Sequence, residues 1–213
     1  MSSYVKSRIE DGVGYLTLAD PDRRNAMTAD MVDEALAVLQ EFADAGLKVG
    51  VLNAEGPVFC AGGDLKAKRI PGVPPAGVRL IEGFDASPLL WFAAVEGPAL
   101  GAALHLLSTC PRVVMSSSAW FAVPEFLHGR FPRPIVAALA EVIGPRRAMR
   151  LAMTGERLTA EQALDLGLAE KVVDPDQALK TAGEEALAFA KLNTESLDNG
   201  RLAWSTRLET REA

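Results

Sequence analysis

Two turns built from very small residues define the chemistry this chain could perform. The first is Phe59-Cys60-Ala61-Gly62-Gly63-Asp64-Leu65, and the second is Val95-Glu96-Gly97-Pro98-Ala99-Leu100-Gly101-Ala102-Ala103, which runs directly into an apolar helical segment. Small residues allow a ligand to reach backbone N–H groups, and a turn that opens a helix aims such groups outward. Two turns of this kind can hold one carbonyl oxygen between them. That layout is an oxyanion hole, in which preorganised donors stabilise charge developing on an ester or thioester oxygen. The plainer alternative is that both turns merely permit tight packing.

Further segments carry a resemblance. Arg24-Asn25-Ala26-Met27, the Phe59–Leu65 turn, Ala94-Val95-Glu96-Gly97-Pro98-Ala99-Leu100-Gly101, Val123-Pro124-Glu125 and the stretch 151–173 follow one another as signatures similar to those of the crotonase superfamily, the enoyl-CoA hydratases and isomerases. The resemblance covers roughly residues 4 to 180. It implies oxyanion donors at the main-chain N–H groups of Gly63 and Ala102. Many relatives have Gly at the second position, but the donor is backbone, so Ala serves if its φ is negative.

The same resemblance places a catalytic carboxylate at Glu125, where a buried acid near the substrate's α-carbon could move a proton. On residue pattern alone, Glu125 also fits a first-turn helix residue beside Pro124. The family's second carboxylate would fall twenty residues earlier, at position 105, and that residue is His105. Imidazole titrates near neutrality and could hold or activate water, or His105 could simply be packed in its helix. The loss of the second Glu removes the ordinary basis for hydration. A second departure is the segment Phe126-Leu127-His128-Gly129-Arg130-Phe131-Pro132-Arg133-Pro134, which stands where many relatives have a Gly-rich loop; His128 reads as an exposed loop residue.

Coenzyme A, as part of the substrate and the only cofactor expected, would by resemblance lie against Ala26, Ala61 and Gly63-Asp64-Leu65-Lys66. Arg23, Arg24, Lys66, Lys68 and Arg69 offer positive charge for its phosphates, or are solvated surface. There is no Walker-type phosphate loop, and no Cys or His shows metal-ligand spacing, so no metal is expected.

The elements that must position these residues read as α/β. The chain has 213 residues, is 49% hydrophobic and carries a net charge of −6, enough to bury a core and unsuited to nucleic acid or anionic membrane. Cys60 and Cys110 lie in apolar segments of a chain without a secretory signal, which favours reduced thiols and a cytoplasmic location. The apolar run 86–110 is broken by Glu96, Gly97, Pro98, Gly101 and His105, so it reads as strand, turn and buried helix rather than a membrane span. A hairpin turns about Asp11-Gly12, Thr28 caps a helix to about Ala45, and strands at 48–53, 91–95 and 112–115 alternate with helices, favouring parallel sheets. Lys68–Gly77, rich in Pro and Gly, reads as a surface loop.

The resulting expectation is a crotonase-like α/β spiral of repeated ββα units over residues 1–175, with a shortened helical tail, 176–213. The tail reads as a helix to about Lys191 followed by a polar end, short of the further C-terminal helices usual in the family. The expected activity is a double-bond shift in an enoyl-CoA thioester by the single base Glu125. Alternatives are hydration by Glu125 with His105, other thioester chemistry, or silent acyl-CoA binding. The resemblance also implies a homotrimer or dimer of trimers.

Overall fold

The computed structural model describes residues 3–64, 67, 68 and 70–206. Strands β1 (Val5–Glu10) and β2 (Val13–Leu18) form an antiparallel hairpin. Its two-residue turn places Asp11 at φ 48° and Gly12 at φ 81°, the left-handed pair that matches the twist of the flanking strands. Thr28 then caps α1 (Ala29–Asp44) by accepting the Met31 N–H at 3.4 Å, and Met31, Val32, Ala35, Leu39 and Phe42 are buried.

Three successive passes repeat one pattern. β3 (Val49–Ala54) leads to a bridge at Cys60 and then α2 (Ala76–Ala86). β4 (Leu90–Val95) leads to β5 (Ala99–Leu100) and α3 (Ala102–Ser108). β6 (Arg112–Ser116) leads to β7 (Trp120–Ala122) and a 3-10 helix, Pro124–His128. In each pass the first strand enters a large sheet; the second and third passes add a strand to a small sheet, which the first pass joins only through the Cys60–Ala99 bridge. The large sheet has the order β1-β2-β3-β4-β6-β9 and is parallel beyond the hairpin, whereas the small sheet is β5-β7-β8. This is the expected spiral of ββα units. The remaining elements are α4 (Arg133–Ile143), α5 (Pro145–Thr154), β8 (Leu158–Thr159), α6 (Ala160–Leu166), β9 (Lys171–Val173), α7 (Ala178–Ala190) and α8 (Thr194–Ser205).

Alternate residues of the large sheet face opposite sides, as strand geometry requires. Leu16, Leu52, Trp91, Ala93, Val95 and Met115 join the main core with α1 to α3. Val13, Val49, Val51, Phe92 and Val114 pack instead against Ala178, Ala182 and Ala186 of α7. With both faces covered, these strands are apolar throughout. The apolar run 86–110 resolves into β4, β5 and α3, and no helix among the described residues is long and apolar enough to cross a membrane. Both cysteines are buried.

The tail differs from its reading. Its polar end is a second helix, α8, started by Asn193, whose Oδ1 accepts the Glu195 and Ser196 N–H groups. Few buried residues mark this helix, so hydrophobic periodicity gives it away poorly; what holds it is polar. Arg201 donates to the carbonyls of Ser87 at 2.7 Å and Asp85 at 2.6 Å, and Trp204 donates to the Thr109 carbonyl at 3.0 Å.

Glu96, in the middle of the second small-residue turn, anchors the other tail helix. Its carboxylate accepts the N–H groups of Asp176 (3.0 Å), Ala178 (2.6 Å) and Leu179 (3.3 Å), an N-cap delivered from eighty residues away. Replacing Glu96 by Ala leaves these donors without their acceptor. Glu96→Ala is expected to cost about 1–3 kcal/mol, read as a lower urea midpoint, with hydrogen exchange accelerated first at residues 176–179.

Candidate active site

The two small-residue turns lie side by side. Phe59 and Cys60 donate their N–H groups to the Pro98 carbonyl at 3.0 and 3.3 Å, and Leu100 donates to the Cys60 carbonyl at 2.9 Å, forming the parallel bridge Cys60–Ala99. Close approach requires the glycines. At Gly97 a Cβ would collide with the Pro57 carbonyl; at Gly62, where φ is +86°, it would sit 2.6 Å from the Leu100 carbonyl oxygen and 3.2 Å from the Ala102 nitrogen. Gly62 is therefore in contact range of the start of α3. The turn is tightened further by the Cys60 sulfur, which accepts the Gly62 N–H at 3.4 Å. Burial pushes the Cys60 thiol up to about 12, so it stays protonated and acts as a packed acceptor.

On the opposite side the second turn is held by β7. Gly101 donates to the Ala122 carbonyl at 2.9 Å, beside the β5–β7 pairing Leu100–Ala122. Strand β7 ends two residues before Pro124, and the 3-10 helix starting there carries Glu125 back over Gly101. A Cβ on Gly101 would lie 2.7 Å from the Glu125 carboxyl carbon and inside contact distance of Oε1. Its φ of 56° and ψ of −117° are also accessible only to glycine without strain. Ala102 keeps a negative φ, as a non-glycine donor at that position needs.

Glu125 is half-buried, and its Oε2 is shielded from solvent with no hydrogen-bond partner among the described residues. Burial pushes its carboxyl above the ordinary carboxylate value; a hydrogen bond from its own backbone and the charge of His128 oppose that rise. His105 is half-buried on α3, one turn beyond Ala102, and burial alone pushes its imidazole below the ordinary value, which favours the neutral ring. The two groups exert no resolved charge effect on one another.

The remaining expected contacts surround this junction. Ala61 donates to the Arg24 carbonyl at 3.0 Å, Met27 donates to the Gly62 carbonyl at 2.9 Å, and Met27 bridges to Gly63, so Ala26, Ala61, Gly63 and Asp64 belong to one locality. Leu65, Lys66 and Arg69 lie outside the described residues. Arg24 and Lys68 are exposed. Arg23 is committed elsewhere: it pairs with Asp20 at 2.7 Å and stacks 4.6 Å from the Tyr4 ring centroid. His128 is exposed, as read, but belongs to the 3-10 helix rather than a loop. No group of three or more acidic, His or Cys residues among those described could hold a metal ion.

Sequence reasoning gave no role to Asn25, which is fully buried. Its Oδ1 accepts the Asp20 N–H, while its Nδ2 donates to the Glu55 and Val58 carbonyls at 2.9 and 2.8 Å. Together with left-handed Arg24 and Asn25 (φ 55° and 52°), these bonds set the path of the segment that lies on the first turn. The available signal was an Asn between charged and apolar residues, since Asn adopts that conformation most readily among non-glycine residues.

With this geometry in view, the comparisons with known proteins are decisive for ancestry. The family model for enoyl-CoA hydratase/isomerase matches residues 8–203. The chain belongs to the enoyl-CoA hydratase/isomerase family. It is 32% identical over 164 residues to a probable enoyl-CoA hydratase of Mycobacterium bovis, covering 76% of this chain and 68% of that protein. An enoyl-CoA isomerase/hydratase of Mycosarcoma maydis is 34% identical over 194 residues, covering 82% and 70%. Among solved structures, a probable enoyl-CoA hydratase from Mycobacterium smegmatis superposes with a TM-score of 0.90 at 26% identity, covering 99% of this chain and 87% of that one. Members of this family thus share the fold at low identity.

Gly101 is the residue on which turn and carboxylate depend together. Gly101→Ala is expected to destabilise the protein by on the order of 1–3 kcal/mol from backbone strain, with an added penalty from the collision with Glu125. Adding Glu125→Ala to that variant should recover the collision part and leave the strain. A double-mutant cycle of denaturation midpoints reads this as a favourable coupling between the two substitutions.

Proposed function

We propose that the protein is an acyl-CoA enzyme that shifts the double bond of an enoyl-CoA thioester, with Glu125 as its single acid/base group. The observation that carries this reading is the buried, unpartnered Glu125 oxygen above Gly101, at the junction where Gly62 meets the start of α3. A carboxyl group held there with a raised affinity for protons is suited to take one from carbon and return it.

In this reaction the thioester oxygen of a β,γ-enoyl-CoA accepts hydrogen bonds from the Gly63 and Ala102 N–H groups. Ionised Glu125 removes a proton from the α-carbon; the C–H electron pair moves toward the carbonyl, giving a dienolate whose oxygen carries the charge. The same carboxyl then returns that proton to the γ-carbon. The electron pairs move back, the double bond becomes α,β, and both donors and base regain their starting states. No water is consumed. Only one carboxylate is needed, which agrees with a histidine at position 105.

Hydration is the second reading. The hydratase names of several relatives favour it, and so does the neutral imidazole of His105, which could position a water molecule beside the β-carbon. In either case the bound thioester is the substrate and coenzyme A its carrier, against Ala26, Ala61, Asp64, Leu65 and Lys66. The exposed apolar residues Phe126, Leu127 and Phe131 beside the base are consistent with the trimeric assembly expected from the family resemblance.

Glu125→Gln is expected to lower double-bond migration by about two orders of magnitude or more while leaving acyl-CoA binding within a few-fold, measured by turnover and calorimetry. Its stability should move the other way. The folded state raises the Glu125 pKa, so ionisation destabilises the native protein; the penalty is absent well below the ordinary value of 4.5 and complete above the raised one. Glu125→Gln should therefore melt higher than the parent at pH 7.5, and the gain should vanish as the pH falls toward 4.

His105→Ala separates the two reactions. For a one-base isomerase, the variant keeps most double-bond migration. For a hydratase that recruits His105, it loses water addition but still exchanges the α-proton with solvent deuterium, which nuclear magnetic resonance follows directly. Equal loss of exchange and turnover would rule out both assignments and give His105 a structural role.

A further inference from the structure

Glu96 stands between the tail and both small-residue turns. It follows β4 at the edge of the large sheet, and Gly97 and Pro98 carry the chain from it toward Gly101 and Ala102. On one side, the Pro98 carbonyl accepts the Phe59 and Cys60 N–H groups at 3.0 and 3.3 Å, and Gly97 sits so near the Pro57 carbonyl that a Cβ would collide with it. On the other side, the Glu96 carboxylate accepts the N–H groups of Asp176, Ala178 and Leu179. One residue thus links the start of α7 to the segment that joins the two turns.

The α7 side has no local substitute for this carboxylate. Its N-cap residue, Gln177, makes no side-chain cap bond, and the preceding Asp176 is held at φ 64°, a left-handed conformation that a non-glycine residue keeps when its surroundings enforce it. Beyond its first turn the helix is firmly seated. Ala178, Ala182 and Ala186 are fully buried against Val49, Val51, Phe92 and Val114 on the back of the large sheet. Glu96 therefore ties the turn to a fixed body and not to a solvated loop.

We propose that Glu96 is a positioning residue for the oxyanion hole, its carboxylate locking both donor-bearing turns to the start of α7. The proposal rests on the reading of Gly63 and Ala102 as oxyanion donors. One path runs from α7 through Glu96 and the Pro98 carbonyl to Phe59 and Cys60, and then along the chain to Gly63. The other follows residues 97–101 to Ala102. Such donors stabilise developing charge only while held at hydrogen-bonding distance from the oxygen, and a displacement of about 1 Å can cost about a hundredfold in rate. Loss of the carboxylate releases both paths at their common end, so it acts on the chemistry as well as on the fold.

The test compares Glu96→Ala, Glu96→Gln and Arg201→Ala, each well below its melting midpoint. Glu96→Gln keeps one oxygen acceptor, and Arg201→Ala loosens the tail elsewhere, by releasing α8 from the Ser87 and Asp85 carbonyls. In Glu96→Ala, kcat for a β,γ-enoyl-CoA is expected to fall at least about tenfold, with KM changed less. Hydrogen exchange at Phe59, Cys60 and Leu100 should quicken at least about threefold together with that at Ala178 and Leu179. Butyryl-CoA labelled with carbon-13 at its thioester carbonyl provides a spectroscopic signature. Its infrared carbonyl stretch, lowered by the two donors in the parent complex, should move back toward the value in water. Glu96→Gln should recover part of each loss, and it carries the comparison if Glu96→Ala does not fold. Arg201→Ala should leave kcat, the carbonyl stretch and exchange at the two turns at parental values. Faster exchange at Ala178 and Leu179 with parental exchange at Phe59, Cys60 and Leu100 overturns the proposal. Parental kcat and carbonyl stretch in Glu96→Ala also overturn it, as does an equal loss in Arg201→Ala, which would assign the effect to general loosening. Faster exchange at the turns, in a protein that neither binds nor turns over acyl-CoA, upholds the link to α7 and removes the oxyanion reading instead.

Discussion

A short three-rail ladder underlies everything else in this site. Segment 59–60 bonds to 98–100, and 100–101 bonds to Ala122 at the end of β7. These bonds bring three separate chain passages within a few ångströms: the turn carrying Gly63, the start of α3 carrying Ala102, and the strand that hands over Glu125. Backbone bonding at this junction is nearly independent of side chains, so its demands fall on residues that must be small. Gly62, Gly97 and Gly101 are fixed by what a Cβ would strike, namely a carbonyl, a carbonyl and the Glu125 carboxyl group.

The repeated ββα passes explain how such a ladder arises. Each pass donates one strand to the large sheet and one short strand or bridge to the small one, so consecutive small-sheet segments stack beside each other. The central strands β2, β3, β4 and β6 of the large sheet are buried on both faces and supply the rigidity; the small sheet supplies proximity. Functional groups held by strand ends and helix starts are more tightly placed than groups on long loops. The tail helices are fastened to the same frame by polar contacts, with Glu96 binding the start of α7 and Arg201 and Trp204 binding α8 to the ends of α2 and α3.

Glu125 shows the conflict between stability and chemistry that such sites contain. A shielded carboxylate oxygen without a partner among the described residues is a local defect in folding terms, since buried polar groups normally find one. The rest of the core, with Phe42, Phe59, Trp91, Phe92 and Phe121 almost fully buried, is large enough to tolerate it. Cys60 presents the opposite case. Its sulfur is buried and its thiol kept protonated, and its contribution is to hold Gly62 in place.

Much of this was legible in the sequence. The Asp11-Gly12 hairpin, the Thr28 cap, the alternation of apolar strands with helices and the two small-residue turns are local signals, set by φ preferences, capping and periodicity within a few residues. The type of Glu125 and the substitution of His at position 105 were equally plain. Tertiary structure decided what depends on residues far apart in the chain: that Glu125 lies on Gly101, that Glu96 caps a helix eighty residues away, that buried Asn25 ties three backbone segments together and that Arg23 is already paired. It also made a helix of the polar tail, because α8 is held by long-range bonds to carbonyls and presents little apolar periodicity to read. Sequence determines local conformation directly, whereas burial, charge coupling and the partner of a polar group are set only when distant segments meet.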